Sequence, residues 1–166
     1  MKPHRILFFV PNHINAIGIH QELIARLKDC LSSEVHVSMI ASDAKKDNIQ
    51  LSDYDIIHFF GCWSNSAYKL ASKAYKHNIP YLLTPLGALQ PWEMAQHRKS
   101  MRFNKQHQLT SKASAVHVCG KLEQETFTRL AWNKRQELIK NPVLTSQISF
   151  EETAQQLINL YQKILD

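Results

Sequence analysis

Glycine is scarce in this sequence, with four in 166 residues. No GxGxxG run occurs, and the loop after the first apolar stretch, PNHINAIGIH (Pro11 to His20), holds only Gly18. Dinucleotide sites need glycines there so that the backbone can approach the pyrophosphate, so a nicotinamide or flavin site is excluded. Cysteine is scarcer still. Cys30, Cys62 and Cys119 are too few and too scattered for a disulfide framework or a CxxC metal site, and a reducing cytoplasm fits. The nine histidines do not reach metal-ligand spacing with a carboxylate or cysteine, so neither a metal nor a cofactor is expected. No apolar run approaches the roughly 20 residues of a membrane span. The start, MKPHRILFFVPNH, lacks a small-residue cleavage site and reads as a buried first strand rather than a signal peptide. Ser64 and Ser66 lie outside any GxSxG, which removes the nucleophile-elbow reading.

What is present is an ordinary globular composition, 44% hydrophobic and 20% charged, at a length that suits one domain with a real core. A net charge of +6 favours an anionic partner without naming it. The chain is organised around Tyr54 to Trp92. Tyr54 to Phe60 is a short apolar, β-branched and aromatic run stopped by Gly61, the pattern of a strand buried on both faces. Ser64 caps a helix to about His77 whose apolar face is Ala67, Leu70, Ala71 and Ala74. Asn78 and Pro80 end it, and Tyr81 to Thr84 is a second strand. Strand, crossover helix and strand of these lengths make a right-handed unit with parallel strands. The loops GCWSN and PLGALQPW then share the carboxyl edge of the sheet, where open α/β sheets bind ligands.

The flanks continue the alternation. Arg5 to Val10 is the first strand, and Ile19 to Leu31 a helix with Ile19, Leu23, Ile24, Leu27 and Leu31 as its stripe. Val35 to Ala41 is a strand, and Ser42 to Ser52 a polar loop. A helix is expected from Trp92 toward Ala113, then a strand at Ala115 to Cys119 and a helix at Lys121 to Trp132 with Leu122, Phe127 and Leu130 inward. Glu137 to Ile139 is a brief apolar run. Ser149 and Glu152 form a capping box for a last helix to Leu165, striped by Phe150, Ala154, Leu157, Ile158, Tyr161 and Leu165. The expected fold is α/β: a Rossmann-like, doubly wound, mainly parallel sheet of about six strands with the carboxy-terminal helix packed back on it.

Three segments carry a family resemblance. DIIHFFGCW (Asp55 to Trp63), IPYLLTPLGALQPW (Ile79 to Trp92) and, more faintly, AVHVCGKLEQE (Ala115 to Glu125) resemble the amino-terminal domain of family 4 glycosyltransferases, which have the GT-B fold. The resemblance divides the chain into 1–143, the family-like domain, and 144–166, a connector and terminal helix of the same domain. It implies an acceptor cleft lined by Asn12, Gly18, His58, Gly61, Trp63, Thr84, Gly87 and Trp92. The catalytic residue stays unknown, with His58 and His13 as weak candidates. In the family the position of Leu86 is commonly a histidine that reaches the sugar, and leucine offers neither charge nor hydrogen bond for that role. The family's carboxy-terminal donor-binding domain is not matched by any residues here.

Each of these residues also has a plain structural reading. A strand histidine is more often packed than catalytic, Trp63 caps a core as readily as it stacks on a sugar, and PNHINAIGIH is an ordinary turn as readily as a cleft loop. Arg98, Arg102 and Lys105 share a helix face, with Lys99 alongside, in an interval free of carboxylates from Glu93 to Glu123, which reads either as a membrane or anion patch or as a solvated face. Nucleic acid is not expected, since no RNP, HTH or OB signature accompanies the charge. Three functions stay open: the acceptor-side half of a split hexosyltransferase working with a donor-domain protein chain on a glycan or lipid-linked acceptor, a non-catalytic sugar- or glycan-binding module, and an adaptor at the anionic inner face of the membrane. All three place the protein in the cytoplasm, free or peripheral.

Overall fold

The computed structural model describes residues 2–41 and 49–166. Six strands, β1 (Arg5–Val10), β2 (His36–Ala41), β3 (Ile56–Phe60), β4 (Tyr81–Thr84), β5 (Ala115–Val118) and β6 (Gln136–Leu138), form one sheet in the order β2-β1-β3-β4-β5-β6. Every pairing is parallel. All of β3, β4 and β5 is buried, as expected where helices cover both faces. Most of the expected loop Ser42 to Ser52 lies outside the described residues, and Leu51–Asp53 is a 3-10 turn.

The two faces follow from strand parity. Ile6, Phe8, Val10 and Phe60 pack under α2 (Gly18–Leu31) and α7 (Phe150–Leu165). Leu7, Phe9, Ile57 and Phe59 pack under α3 (Asn65–Lys76), α5 (Met101–Lys112) and α6 (Lys121–Leu130). Each fully buried Leu, Ile or Phe side chain contributes about 1.5–3 kcal/mol. The fold is thus doubly wound with the terminal helix packed on the sheet. Local signals start the helices as the sequence predicts. Ser64 Oγ accepts from the Ala67 N–H at 3.1 Å, and the capping box is complete, with Ser149 Oγ to the Glu152 N–H at 3.1 Å and Glu152 Oε2 to the Ser149 N–H at 2.8 Å.

Five expectations are corrected. The helix expected to run on from Trp92 is two helices, α4 (Pro91–His97) and α5, because Ser100 adopts an extended conformation and its Oγ caps the Arg102 N–H. Arg98, Lys99, Arg102 and Lys105 therefore do not share one helix face: the first two lie at the junction and the last two on α5. Leu122 is exposed, since it sits in the first turn of α6 while Phe127 faces the core. Ile19 is also exposed, and the buried stripe of α2 is Leu23, Ile24, Leu27 and Leu31. The loop after β1 contains one helical turn, α1 (Asn12–Asn15), rather than a simple turn.

Candidate functional site

The strand order places the switch point between β1 and β3. The chain leaves β1 for α2 on one face and β3 for α3 on the other, which opens a crevice at the carboxyl edge between those two strands. α1 lies across that crevice. Its Ile14 is buried against the loop after β3, at Gly61, and His13 Nε2–H donates to the Cys62 carbonyl at 3.1 Å. Gly61 has φ +76°, and a Cβ there would overlap the Ile14 side chain. Glycine is needed at this position both for backbone conformation and for space.

The next loop is built just as tightly. Leu86 and Gly87 have φ of 54° and 80°, and the Ala88 N–H closes on the Pro85 carbonyl at 3.2 Å, so the chain makes a tight turn with both central residues left-handed. Glu123, in the first turn of α6, reaches back to this turn. Its Oε2 accepts from the Gly87 N–H at 2.9 Å and its Oε1 from the Cys119 N–H at 3.4 Å. Burial raises the pKa of this carboxyl, and the two N–H groups act against that rise. The Gly87 N–H is thus met by the protein's own carboxylate.

Trp63 also has a left-handed backbone, φ 67°. Its N–H donates to Gln106 Oε1 at 2.8 Å, its Nε1–H to the Ala88 carbonyl at 2.9 Å, and its ring stacks on His97 at 4.1 Å and 15°. With 8% of its surface exposed, it fastens the β3 and β4 loops together rather than offering a face to a sugar. Cys62 beside it is buried, and burial pushes its thiol well above the ordinary range, which disfavours the thiolate.

His58 and Thr84 are wholly buried and do not line the edge. They belong to a hydrogen-bond chain beneath α7. Tyr161 Oη lies 2.6 Å from His58 Nδ1, His58 Nε2 lies 2.6 Å from Thr84 Oγ1, Thr84 Oγ1 lies 2.8 Å from His117 Nδ1, and His117 Nε2 lies 2.9 Å from the Ile139 carbonyl. The carbonyl can only accept, so His117 carries its proton on Nε2. It follows that Thr84 donates to His117, His58 donates to Thr84, and Tyr161 donates to His58. Both rings are neutral. Burial lowers the pKa of His117 to about 4, and burial followed by the proximity of His117 holds His58 well below its ordinary value. With every nitrogen engaged and no surface, His58 is a core residue and not a catalyst.

The structure therefore divides the residues expected at the cleft. Asn12 and His13 are exposed on α1 and Gly18 at the start of α2, Gly61 and Trp63 form the loop after β3, Gly87 turns the loop after β4, and Trp92 stands 62% exposed at the start of α4. Glu123, His117 and Ile14 were not singled out from sequence. The first two lie inside the faint AVHVCGKLEQE match, which was the signal available for them. Among the described residues no group of three or more His, Cys, Asp or Glu side chains is placed to hold a metal, and no helix is long and apolar enough to cross a membrane. No protein-family model matches the chain, and no curated protein matches it.

Proposed function

We propose that this domain is the acceptor-side half of a GT-B-like glycosyltransferase and that it acts in hexose transfer beside a separate donor-binding chain. The observation that carries the reading is the character of the carboxyl edge. Eight large apolar side chains are exposed among the described residues, and six of them, Ile17, Ile19, Trp92, Met101, Leu122 and Leu144, come from segments that leave this edge or begin there. Apolar surface gathered around a ligand-binding edge is what an interdomain or intersubunit contact requires. Two backbone donors of the same edge are already met, the Gly87 N–H by Glu123 and the Trp63 N–H by Gln106, so these two offer a nucleotide diphosphate little. The resemblance of DIIHFFGCW and IPYLLTPLGALQPW to the acceptor domain supplies the rest.

Calorimetry of the purified chain with uridine-, guanosine- and adenosine-diphosphate sugars, followed by a product assay, tests this. The expected result is neither tight binding nor turnover by the chain alone, and transfer once a donor-binding chain is added. Micromolar binding of any of these sugars by the isolated chain would overturn it. Binding on a glycan array without transfer under any condition favours the non-catalytic module instead. A second reading has its own observation: Trp92 and Met101, 62% and 77% exposed, flank the cations Arg98, Lys99 and Arg102 at the α4–α5 junction. A basic, aromatic surface of this kind suits an anionic bilayer, with about 1 kcal/mol per cation near the surface. Flotation with anionic and neutral vesicles decides it, because equal recovery rules the membrane contact out.

A further inference from the structure

We propose that α7 is an acid-released cover: when His58 and His117 both take up protons, α7 lifts off the sheet as a unit while the six strands stay paired. The hydrogen-bond chain beneath it is the reason. Each link holds one proton, and the order of donors is set by the Ile139 carbonyl at one end. A proton added at His58 Nδ1 meets the Tyr161 hydroxyl as a second donor. A proton added at His117 Nδ1 does the same to Thr84. Either addition leaves a hydroxyl hydrogen without an acceptor and a charge without a counterion, both in the core.

The surroundings give no compensation. β4 presents Thr84, β5 presents His117 and the Cys119 thiol 3.7 Å from its Nε2, α7 presents Tyr161, and β1 and β3 present Phe8 and Phe60 against the His58 ring. Burial holds Tyr161 and Cys119 in their protonated forms. Among the described residues no carboxylate hydrogen-bonds either ring. Water is the remaining way to solvate the charge, and of the two helices on this face α7 is the one that bonds the chain, through Tyr161.

α7 can leave without breaking the sheet. Its backbone bonds are internal, and it joins the domain through the segment after β6. Among the described residues its other polar ties are Thr153 Oγ1, itself buried, to the Lys140 carbonyl at 3.3 Å, the exposed Lys163–Glu137 pair at 3.4 Å, and the Arg26 guanidinium of α2 over the Phe150 ring at 3.7 Å. Tyr161 to His58 is the bond that ties α7 to the buried chain, and it is the bond that protonation removes.

Amide exchange between pH 7.5 and 5, corrected for intrinsic rates, reads the event directly. If opening α7 admits two protons, its opening constant rises about 30-fold from pH 6.5 to 5.5 and approaches about 100-fold for each further pH unit lost. Amides of β3 and β4 should keep a smaller opening constant over that range. Tyr161→Phe should raise the α7 opening constant and leave the two-proton dependence intact. His117→Asn should reduce the dependence to that of one proton, which approaches about 10-fold per unit. A pH-independent α7 opening constant, or α7 and β3 amides that share one opening constant throughout, would overturn the proposal. If the His117 variant does not fold, the wild-type dependence decides alone.

Discussion

Gly61→Ala tests whether α1 is seated in the switch-point crevice as described. Two costs combine. An L-residue at φ +76° pays roughly 1–2 kcal/mol for the left-handed backbone. The new Cβ overlaps the Ile14 side chain, and overpacking of this kind costs about 1–3 kcal/mol. Lower chain entropy in the unfolded state returns about 0.4–1 kcal/mol. The net expectation is a loss of about 3 kcal/mol, read as a shift in the urea midpoint at constant m-value. Ile14→Ala by itself empties a buried position and costs about 2–5 kcal/mol. The double variant removes the overlap along with the side chain, so it should be less destabilised than the sum of the singles by about 1–3 kcal/mol. A Gly61→Ala effect under about 0.5 kcal/mol, or additivity within that margin, would mean that Ile14 does not occupy the crevice and that the edge is open for a ligand.

Acid should destabilise the domain through the buried histidines. Their folded pKa values lie below the unfolded value, so stability is full above about pH 7 and falls as pH drops from 6.5 toward 4; His117, at about 4, accounts for roughly 3 kcal/mol of that fall, and urea titrations at several pH values measure it. His20, lowered by burial, adds to this, while Glu123, raised by burial, works in the opposite direction. Ser149→Ala removes half of the capping box and should cost about 1 kcal/mol in the same assay, with fraying confined to the first turn of α7. Ala131→Gly should stabilise by about 0.5–1 kcal/mol, because Ala131 ends α6 at φ 57° on an exposed surface where glycine fits without strain. Leu86→His should not confer turnover of a nucleotide sugar on the isolated chain; clear product in the coupled assay would refute the proposed need for a donor-binding partner.

Much of the fold was readable because local signals and hydrophobic period agreed. The run from Ile56 to Phe60, the cap at Ser64, the stop at Asn78 and Pro80, and the Ser149–Glu152 box each point to one conformation, and the structure contains each of them. The break at Ser100 was harder. A serine inside a polar helix and a serine capping a new one look alike in sequence, and Lys99-Ser100-Met101 carries neither glycine nor proline to separate them. His58 was legible by face but not by role. Its parity with Ile56 and Phe60 assigns its side of the sheet, whereas the helix over that side arrives 103 positions later as Tyr161. No local pattern reports such a pairing.

The carboxyl edge was least legible for a related reason. Among the described residues four non-glycine residues have positive φ. Asn78 and Ala131 sit at the ends of α3 and α6, where left-handed caps are ordinary. Trp63 and Leu86 have no such explanation. They follow β3 and β4, and a bulky residue in that conformation costs roughly 1–2 kcal/mol. Sequence rules place a left-handed turn at glycine or asparagine, so neither residue announces one. The structure offsets the strain with specific ties: Gln106, Ala88 and His97 on Trp63, and the core beneath α7 on Leu86. Strain that the surroundings over-determine gathers at binding surfaces more than elsewhere. That the two unexplained residues fall on adjacent loops of the carboxyl edge is an argument for this edge that owes nothing to either histidine.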